Sequence, residues 1–297
     1  MRVGIVILPE HRWWAAEPLW RMAEEYGFDH AWTYDHLGWR SLVDKAWFDA
    51  VPTLTAAATV TSRIKLGTLV ASPTFRHPVH FARELTALDD VSDGRFLLGV
   101  GAGSSGFDTS VLGQAELPGH ERVDRFGEFL ELLDAILTQD STTYRGKYFS
   151  AVEARRAPGC VQTPRMPFVV AANSPRSMEL AARFGNGWVT TGRPAGSEAD
   201  DPEAWWRSVR EKSEQFSEAL EAAGRVPARA PRYLQADAGP RYSLSSVEHF
   251  RDVLGRAGEL GFTDVITHWP RTEPPYAGQE SIVETIAAEV LPSLKEA

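Results

Sequence analysis

The chain is poor in cysteine, with one thiol, Cys160, among 297 residues. That excludes an internal disulfide framework and any thiolate metal cluster. Pro158, Gly159 and Pro164 place Cys160 in a connection, where an inert thiol is expected. Long apolar runs are also missing. The apolar part of the N-terminal MRVGIVILPEHRWW is too short for a signal peptide, and no later run reaches membrane-spanning length. The expectation is a cytoplasmic protein with no membrane partner. Basic blocks are absent: 40 acidic residues against 31 basic leave a formal charge of −9, which argues against nucleic acid as a partner. An anionic cofactor stays admissible, because a local patch or a helix N-terminus suffices to bind it. The chain has no Gly-x-Ser-x-Gly elbow for acyl transfer. His77 and His80 stand at a helix start with Pro78 between them and no natural third ligand, so no metal site is expected.

What the chain does have is regular alternation. Short apolar runs at Val3–Leu8, His30–Tyr34, Ile64–Val70, Phe96–Gly101, Phe168–Ala172, Gly187–Thr191, Arg232–Gln235 and Asp264–Thr267 read as strands. Helical spacing follows each of them, for example at Leu19, Met22, Ala23 and Tyr26, or at Val123, Phe126, Leu130, Leu133 and Leu137. Further helices are expected over Phe48–Val60, Val79–Val91, Pro175–Phe184, 203–223, 246–260 and Glu280–Leu291. Asp93-Gly94 stops the third helix, and Pro175 occupies a start position. Eight strand–helix pairs without a linker predict a single α/β domain over 1–297, a (β/α)8 TIM barrel. The stretches 104–122 and 139–166 lack a steady period and are expected as irregular connections on the active face. A doubly wound sheet with an appended domain is the competing architecture.

The run Gly101-Ala102-Gly103-Ser104-Ser105-Gly106 matches GxGxxG, the dinucleotide-binding turn. That turn normally ends a first strand and opens a helix at once. Here it follows the fourth strand, and helical spacing returns only near residue 121. The context excludes a Rossmann site. In a barrel, Gly101 and Gly103 would instead let the backbone run close beneath a flat ligand; a tight turn without ligand contact is the plainer alternative.

Three blocks resemble the bacterial luciferase-like monooxygenase superfamily, which includes coenzyme F420-dependent reductases and dehydrogenases. They are AEEYGFDHAWTYDHL (23–37), RIKLGTLVASPTFRHPVHFARELTALDDVSDGRFLLGVGAG (63–103) and VVAANSPRSMELAARFGNGWVTTG (169–192). The resemblance implies a luciferase-like barrel holding a deazaflavin or flavin across its C-terminal mouth. It implies an Asp-His pair after the second strand, at Asp35-His36, and a cis peptide bulge after the third, around Val70, Ala71 and Ser72, that supports the back of the ring. A cis Ser72-Pro73 bond is the other possibility. A homodimer is a common state in the resembling family.

His36 is the candidate proton-handling group. Asp35 can fix its tautomer only if the two side chains converge; consecutive strand residues point opposite ways, so Asp35 otherwise holds a helix or loop elsewhere. Trp39 is a candidate wall beside the ring or a stabiliser of a cationic intermediate, against plain packing in a chain with ten tryptophans. Glu10 matches a catalytic glutamate of the sugar-phosphate dehydrogenases in the F420 branch. Ser104 stands where those enzymes carry a second acid, so that substrate is not assigned. Asn173 and Ser174 precede a helix opened by Pro175, with Arg176 in its first turn, opposed to the dipole unless an anion lies nearby. The resemblance places the cofactor phosphate here, with Thr190, Thr191 and Gly192 closing the pocket. The expected function is hydride transfer between F420 and a small organic substrate. FMN-dependent monooxygenation and a non-catalytic flavin-binding protein are the alternatives. Ser104 permits the last, and His36 argues against it.

Overall fold

Alternation at period two decides the architecture. In the computed structural model, which describes residues 1–104, 106–192 and 200–296, eight parallel strands close into one barrel. In chain order the elements are β1 (Arg2–Val6), α1 (Trp13–Glu25), β2 (His30–Thr33), α2 (Ala50–Val60), β3 (Lys65–Thr68), α3 (Pro78–Val91) and β4 (Phe96–Gly101). Then come α4 (Phe107–Val111), α5 (Gly119–Thr138), β5 (Ser141–Arg145), β6 (Ser150–Arg155), β7 (Phe168–Ala171), α6 (Pro175–Phe184) and β8 (Gly187–Thr190). The chain finishes with α7 (Pro202–Ala222), β9 (Arg232–Gln235), α8 (Val247–Glu259), β10 (Asp264–His268), α9 (Glu280–Glu289) and α10 (Leu291–Glu296). Ser105 of the glycine-rich run lies outside the described residues. Among those described, no helix is long and apolar enough to cross a membrane.

Strand residues divide cleanly by parity. Val3, Ile5, Leu66, Leu98, Val170, Trp188 and Val265 point outward, into the layer shared with the helices. Val6, Trp32, Leu69, Leu97, Val169, Val189, Tyr233 and Ile266 point inward and fill the barrel. The bulk of Trp32 is accommodated because its neighbours are glycines: a Cβ on Gly67 would lie 2.3 Å from the indole. Below Trp32, its indole N–H donates to His30 Nδ1 at 2.6 Å. His30 Nε2 then donates to Asp264 at 3.0 Å, and Arg2 closes the floor with a 2.7 Å contact to the same carboxylate.

Helix boundaries follow local chemistry. Asp49, Ser174, Asp201 and Ser246 each accept a backbone N–H as N-caps, and Pro78, Pro175 and Pro202 occupy opening positions. Three expectations change. The 104–122 connection is not irregular throughout: it carries the short helix α4, and α5 already begins at Gly119. The 139–166 connection is not irregular throughout: β5 and β6 form an antiparallel hairpin outside the barrel. Glu128 on α5 holds its turn by accepting the amides of Lys147, Tyr148 and Phe149, a tertiary anchor that strand periodicity does not report. The last helix stops at Glu289 and restarts at Leu291, where Pro292 contributes no N–H to continue the ladder.

Two stability measurements test this packing. A Cβ at Gly99 would sit 1.9 Å from the Thr68 carbonyl oxygen, whereas one at Gly255, on the exposed side of α8, meets nothing within 4 Å. Gly99→Ala is expected to cost about 3 kcal/mol in urea unfolding, and Gly255→Ala to gain about 0.5–1 kcal/mol. Equal effects would contradict the packing. Glu24 accepts the amides of Ser62, Arg63 and Ile64 ahead of β3. Burial raises its carboxyl, but these donors outweigh that and hold it at about 2, against 4.5 ordinarily. A folded-state value below the unfolded one stabilises above pH 4.5, and the contribution is lost as pH falls towards 2. Glu24→Gln is therefore expected to lower stability at neutral pH and flatten this acid limb in thermal melts.

Candidate active site

The end of β2 organises the mouth. His30, Trp32, Tyr34 and His36 fall at every second position and rise as a column of rings on the inner face; His30 and Trp32 lie 5.4 Å apart and Tyr34 and His36 6.0 Å apart, centroid to centroid. Asp35 has the opposite parity. It is buried, and Arg76 grips it through Nη2 at 2.7 Å and Nε at 3.2 Å. Burial pushes the Asp35 carboxyl up, while the Arg76 hydrogen bonds and charge pull against that shift. Arg76 also reaches Asp49, the cap of α2, at 2.9 Å. Asp35 thus holds a neighbouring loop and does not orient His36.

That task falls to Asp108, on α4. Its Oδ2 lies 2.6 Å from His36 Nδ1, and its Oδ1 accepts the Leu37 amide at 2.7 Å. An ionised carboxylate only accepts, so Nδ1 carries the imidazole proton and Nε2 is left as an acceptor.

A cavity of about 300 Å³ opens at the C-terminal ends of the strands. Leu69 and Val70, just beyond β3, with Ala171 of β7 and Val189 of β8, form an aliphatic floor. Asn173, Thr190 and Thr191 line one side, and His36, Trp39 and Arg40 the other. The Arg40 guanidinium stands 4.5 Å over the Trp39 ring. Tyr34, Gln235 and Tyr276 complete the lining with Ala238, Gly239 and the backbone of Asp237, whose side chain is buried. A second cavity, of about 530 Å³, shares His36, Trp39 and Arg40 and continues past Ser104, Phe107 and Asp108.

The remaining expected residues have other employment. Both Glu10 oxygens are taken by Arg271, at 2.6 and 2.8 Å, and Glu10 lines neither cavity. Ala71 extends the sheet by bridging to Val100, and Ser72 is buried with its hydroxyl facing the Thr74 amide. The cis bond is Leu69–Val70; Ser72–Pro73 is trans. Gly101 clears space for Val70 and Ala171, which a Cβ would meet at 2.9 and 3.2 Å. Gly103 has φ +75° and abuts Thr74. These glycines make room for protein neighbours. Gly192, at φ +59°, similarly avoids Val209. Ser174 is occupied in a capping box with Ser177, and the anion beside Arg176 is Asp124 of α5. That pairing accounts for a cation in the first turn without a bound phosphate.

Sequence reasoning missed a buried network behind Tyr34. His268, at the end of β10, lies 2.7 Å from the Tyr34 hydroxyl through Nε2 and 2.8 Å from Asp237 through Nδ1. Its ring stacks on Tyr276 at 3.7 Å. The available signal was position: Tyr34, Asp237 and His268 all lie at or just beyond the C-terminal ends of barrel strands, where functional residues concentrate.

Residues 1–266 match the luciferase-like monooxygenase family, and the chain belongs to it. The F420-dependent glucose-6-phosphate dehydrogenase of Beutenbergia cavernae is 32% identical over 318 residues, covering 92% of this chain and 91% of that one. An uncharacterized protein of Mycobacterium tuberculosis is 29% identical over 307 residues, covering 98% and 99%. The coenzyme F420-dependent tetrahydromethanopterin reductase of Methanopyrus kandleri superposes with a TM-score of 0.78 at 20% identity, covering 98% and 99%; this is a likeness of fold.

Asp108 should be what holds the 36–40 segment in place. In Asp108→Ala, hydrogen exchange at the Leu37 amide is expected to accelerate about tenfold, the loss of one charge-assisted hydrogen bond. The barrel amide of Ile7, bonded to the Trp32 carbonyl at 2.8 Å, should be unchanged. Unaltered exchange at Leu37 would show that another contact fixes the segment.

Proposed function

We propose that the protein is an F420-dependent oxidoreductase that moves hydride between the deazaflavin and a small organic substrate. The observation that carries this reading is the convergence on one cavity of His36 and Trp39 with Asn173, Thr190 and Thr191, over a floor of four aliphatic side chains. A flat, largely apolar ring system with polar edges fits such a site: the floor excludes water from one face, and the amide and hydroxyl groups offer hydrogen bonds at the rim. The F420-dependent dehydrogenase of Beutenbergia cavernae, aligned over 92% of this chain, supports the same cofactor.

When bound, the deazaflavin supplies a two-electron hydride acceptor or donor. Leu69, Val70, Ala171 and Val189 would support the back of the ring, and Asn173, Thr190 and Thr191 would bond its polar portion. His36, oriented by Asp108, presents Nε2 to exchange a proton with the substrate. Trp39 and Arg40 stand between the two cavities, so a substrate entering through the second would pass them. Glu10, held by Arg271, positions the seam between β1 and β10 and does not touch substrate.

Titration of the protein with F420 and, separately, FMN, followed by tryptophan quenching, tests the cofactor. Binding of F420 at least about tenfold tighter, a difference of about 1.4 kcal/mol, is the expected result. The reverse order would make the protein a flavin enzyme, and no binding of either would overturn the reading. His36→Ala should lower kcat by about 10²–10⁴ while leaving F420 affinity nearly unchanged.

A further inference from the structure

The hydrogen bonds behind the cavity all run one way. The Asp237 carboxylate accepts the backbone amides of Ser243 and His268, each at 2.7 Å, and lies 3.2 Å from the Thr267 hydroxyl. As a pure acceptor it obliges His268 Nδ1, 2.8 Å away, to carry the ring proton. Nε2 is then an acceptor, and the Tyr34 hydroxyl donates to it at 2.7 Å. With its proton committed, the Tyr34 oxygen accepts from the Gln235 amide and from the Tyr276 hydroxyl, each at 3.1 Å. The donors therefore lead from Tyr276 to Tyr34 to His268.

The two ends sit in different surroundings. Tyr34 and Tyr276 line the cavity, whereas the His268 and Asp237 side chains are sealed behind them, 1% and 0% exposed. Burial, with Tyr276 alongside, pushes the Tyr34 phenol well above its ordinary value, so it keeps its proton to donate. Asp237 is the charged group in contact with His268. The phenols around it are Tyr34, Tyr276 and Tyr242, the last donating to the His268 carbonyl at 2.7 Å, and Arg40 is the cation acting on Tyr34. A network serving only to satisfy buried polar groups would have no need to end in two hydroxyls on a ligand cavity.

We infer that Tyr276 and Tyr34 conduct a proton between the reacting oxygen of a carbinol or carbonyl substrate and His268, an acid–base route additional to His36. This deepens the hydride-transfer reading above and rests on it. In the oxidising direction the carbinol carbon gives up hydride, with both C–H electrons, to the deazaflavin. The substrate O–H bond breaks, and its proton passes to the Tyr276 oxygen. The Tyr276 proton moves to Tyr34, and the Tyr34 proton to His268 Nε2. The C=O bond forms, and Asp237 balances the resulting imidazolium. Carbonyl reduction reverses each transfer. Tyr34 and Tyr276 are the groups on the cavity; His268 is the proton store, and Asp237 is a positioning residue that sets its tautomer.

The first test needs no ligand. Imidazole ¹⁵N spectra of the cofactor-free protein at neutral pH should show His268 protonated at Nδ1, with Nε2 shifted towards a free acceptor in Tyr34→Phe. Asp237→Asn, whose amide can donate, should move His268 towards the Nε2–H tautomer. With F420 and propan-2-ol, cyclohexanol or benzyl alcohol as probes, Tyr34→Phe is expected to lower kcat by about a hundredfold and alter the solvent deuterium isotope effect. KM and F420 affinity should stay within about twofold, since a hydroxyl acting only in the transition state changes kcat alone. An Nε2–H tautomer in the wild-type protein overturns the relay even if Tyr34→Phe does not fold. So does a Tyr34→Phe kcat within about twofold of wild type while His36→Ala loses activity. If F420 binds but none of the three alcohols is turned over, the carbinol assignment falls. If F420 does not bind, the hydride-transfer reading fails, and the tautomer still decides the relay.

Discussion

The mouth of this barrel depends on the parity of one strand. In His30-Ala31-Trp32-Thr33-Tyr34-Asp35-His36, alternate residues face alternate sides, so four rings face inward, meeting edge to face, while Asp35 faces out to Arg76. A one-residue slip would bury the wrong set. The Asp35–Arg76 pair helps to hold that register: both side chains are largely removed from water, and separating them would strand a buried charge, which typically costs about 3–5 kcal/mol. Because Arg76 also holds Asp49 at the cap of α2, the strand, the following loop and the next helix are fixed by one guanidinium.

Two histidines reach the site from β2 and β10, and each is oriented by a carboxylate from a distant part of the chain. Asp108 approaches His36 from α4, and Asp237 approaches His268 from the turn after β9. Their surroundings differ in a way that matters for chemistry. The His36 side chain is 25% exposed and borders both cavities, so a proton there can exchange with solvent. His268 is sealed, so a proton reaching it travels through the phenols. The aliphatic floor lowers the local dielectric of the cavity, which strengthens polar contacts made against it.

The fold was largely legible because strand parity and helix spacing are written residue by residue, and the caps and prolines marked the same boundaries. The hairpin of β5 and β6 was not, since Glu128 holds it from a helix already passed. Of the expected site residues, His36, Trp39, Asn173, Thr190 and Thr191 line one cavity. Glu10 and Arg176 were drawn towards ligand by their charge, yet each meets an opposite charge in the protein, Arg271 and Asp124. Gly101 and Gly103 were read as clearance beneath a flat ligand; the neighbours a Cβ would meet there are Val70, Ala171 and Thr74.

The sequence by itself determined the barrel strands and the long helices, their alternation, the closed barrel they imply and the strand ends where function gathers. These depend on periodicity and local backbone preference, which act over a few residues. Only the tertiary structure decided which carboxylate meets which histidine, which charges are already neutralised, and that Tyr34, Tyr276, His268 and Asp237 form one directed network. Hydrogen bonds and ion pairs act over about 3 Å, and barrel closure is what brings residues as far apart in the chain as 34 and 268 within that range.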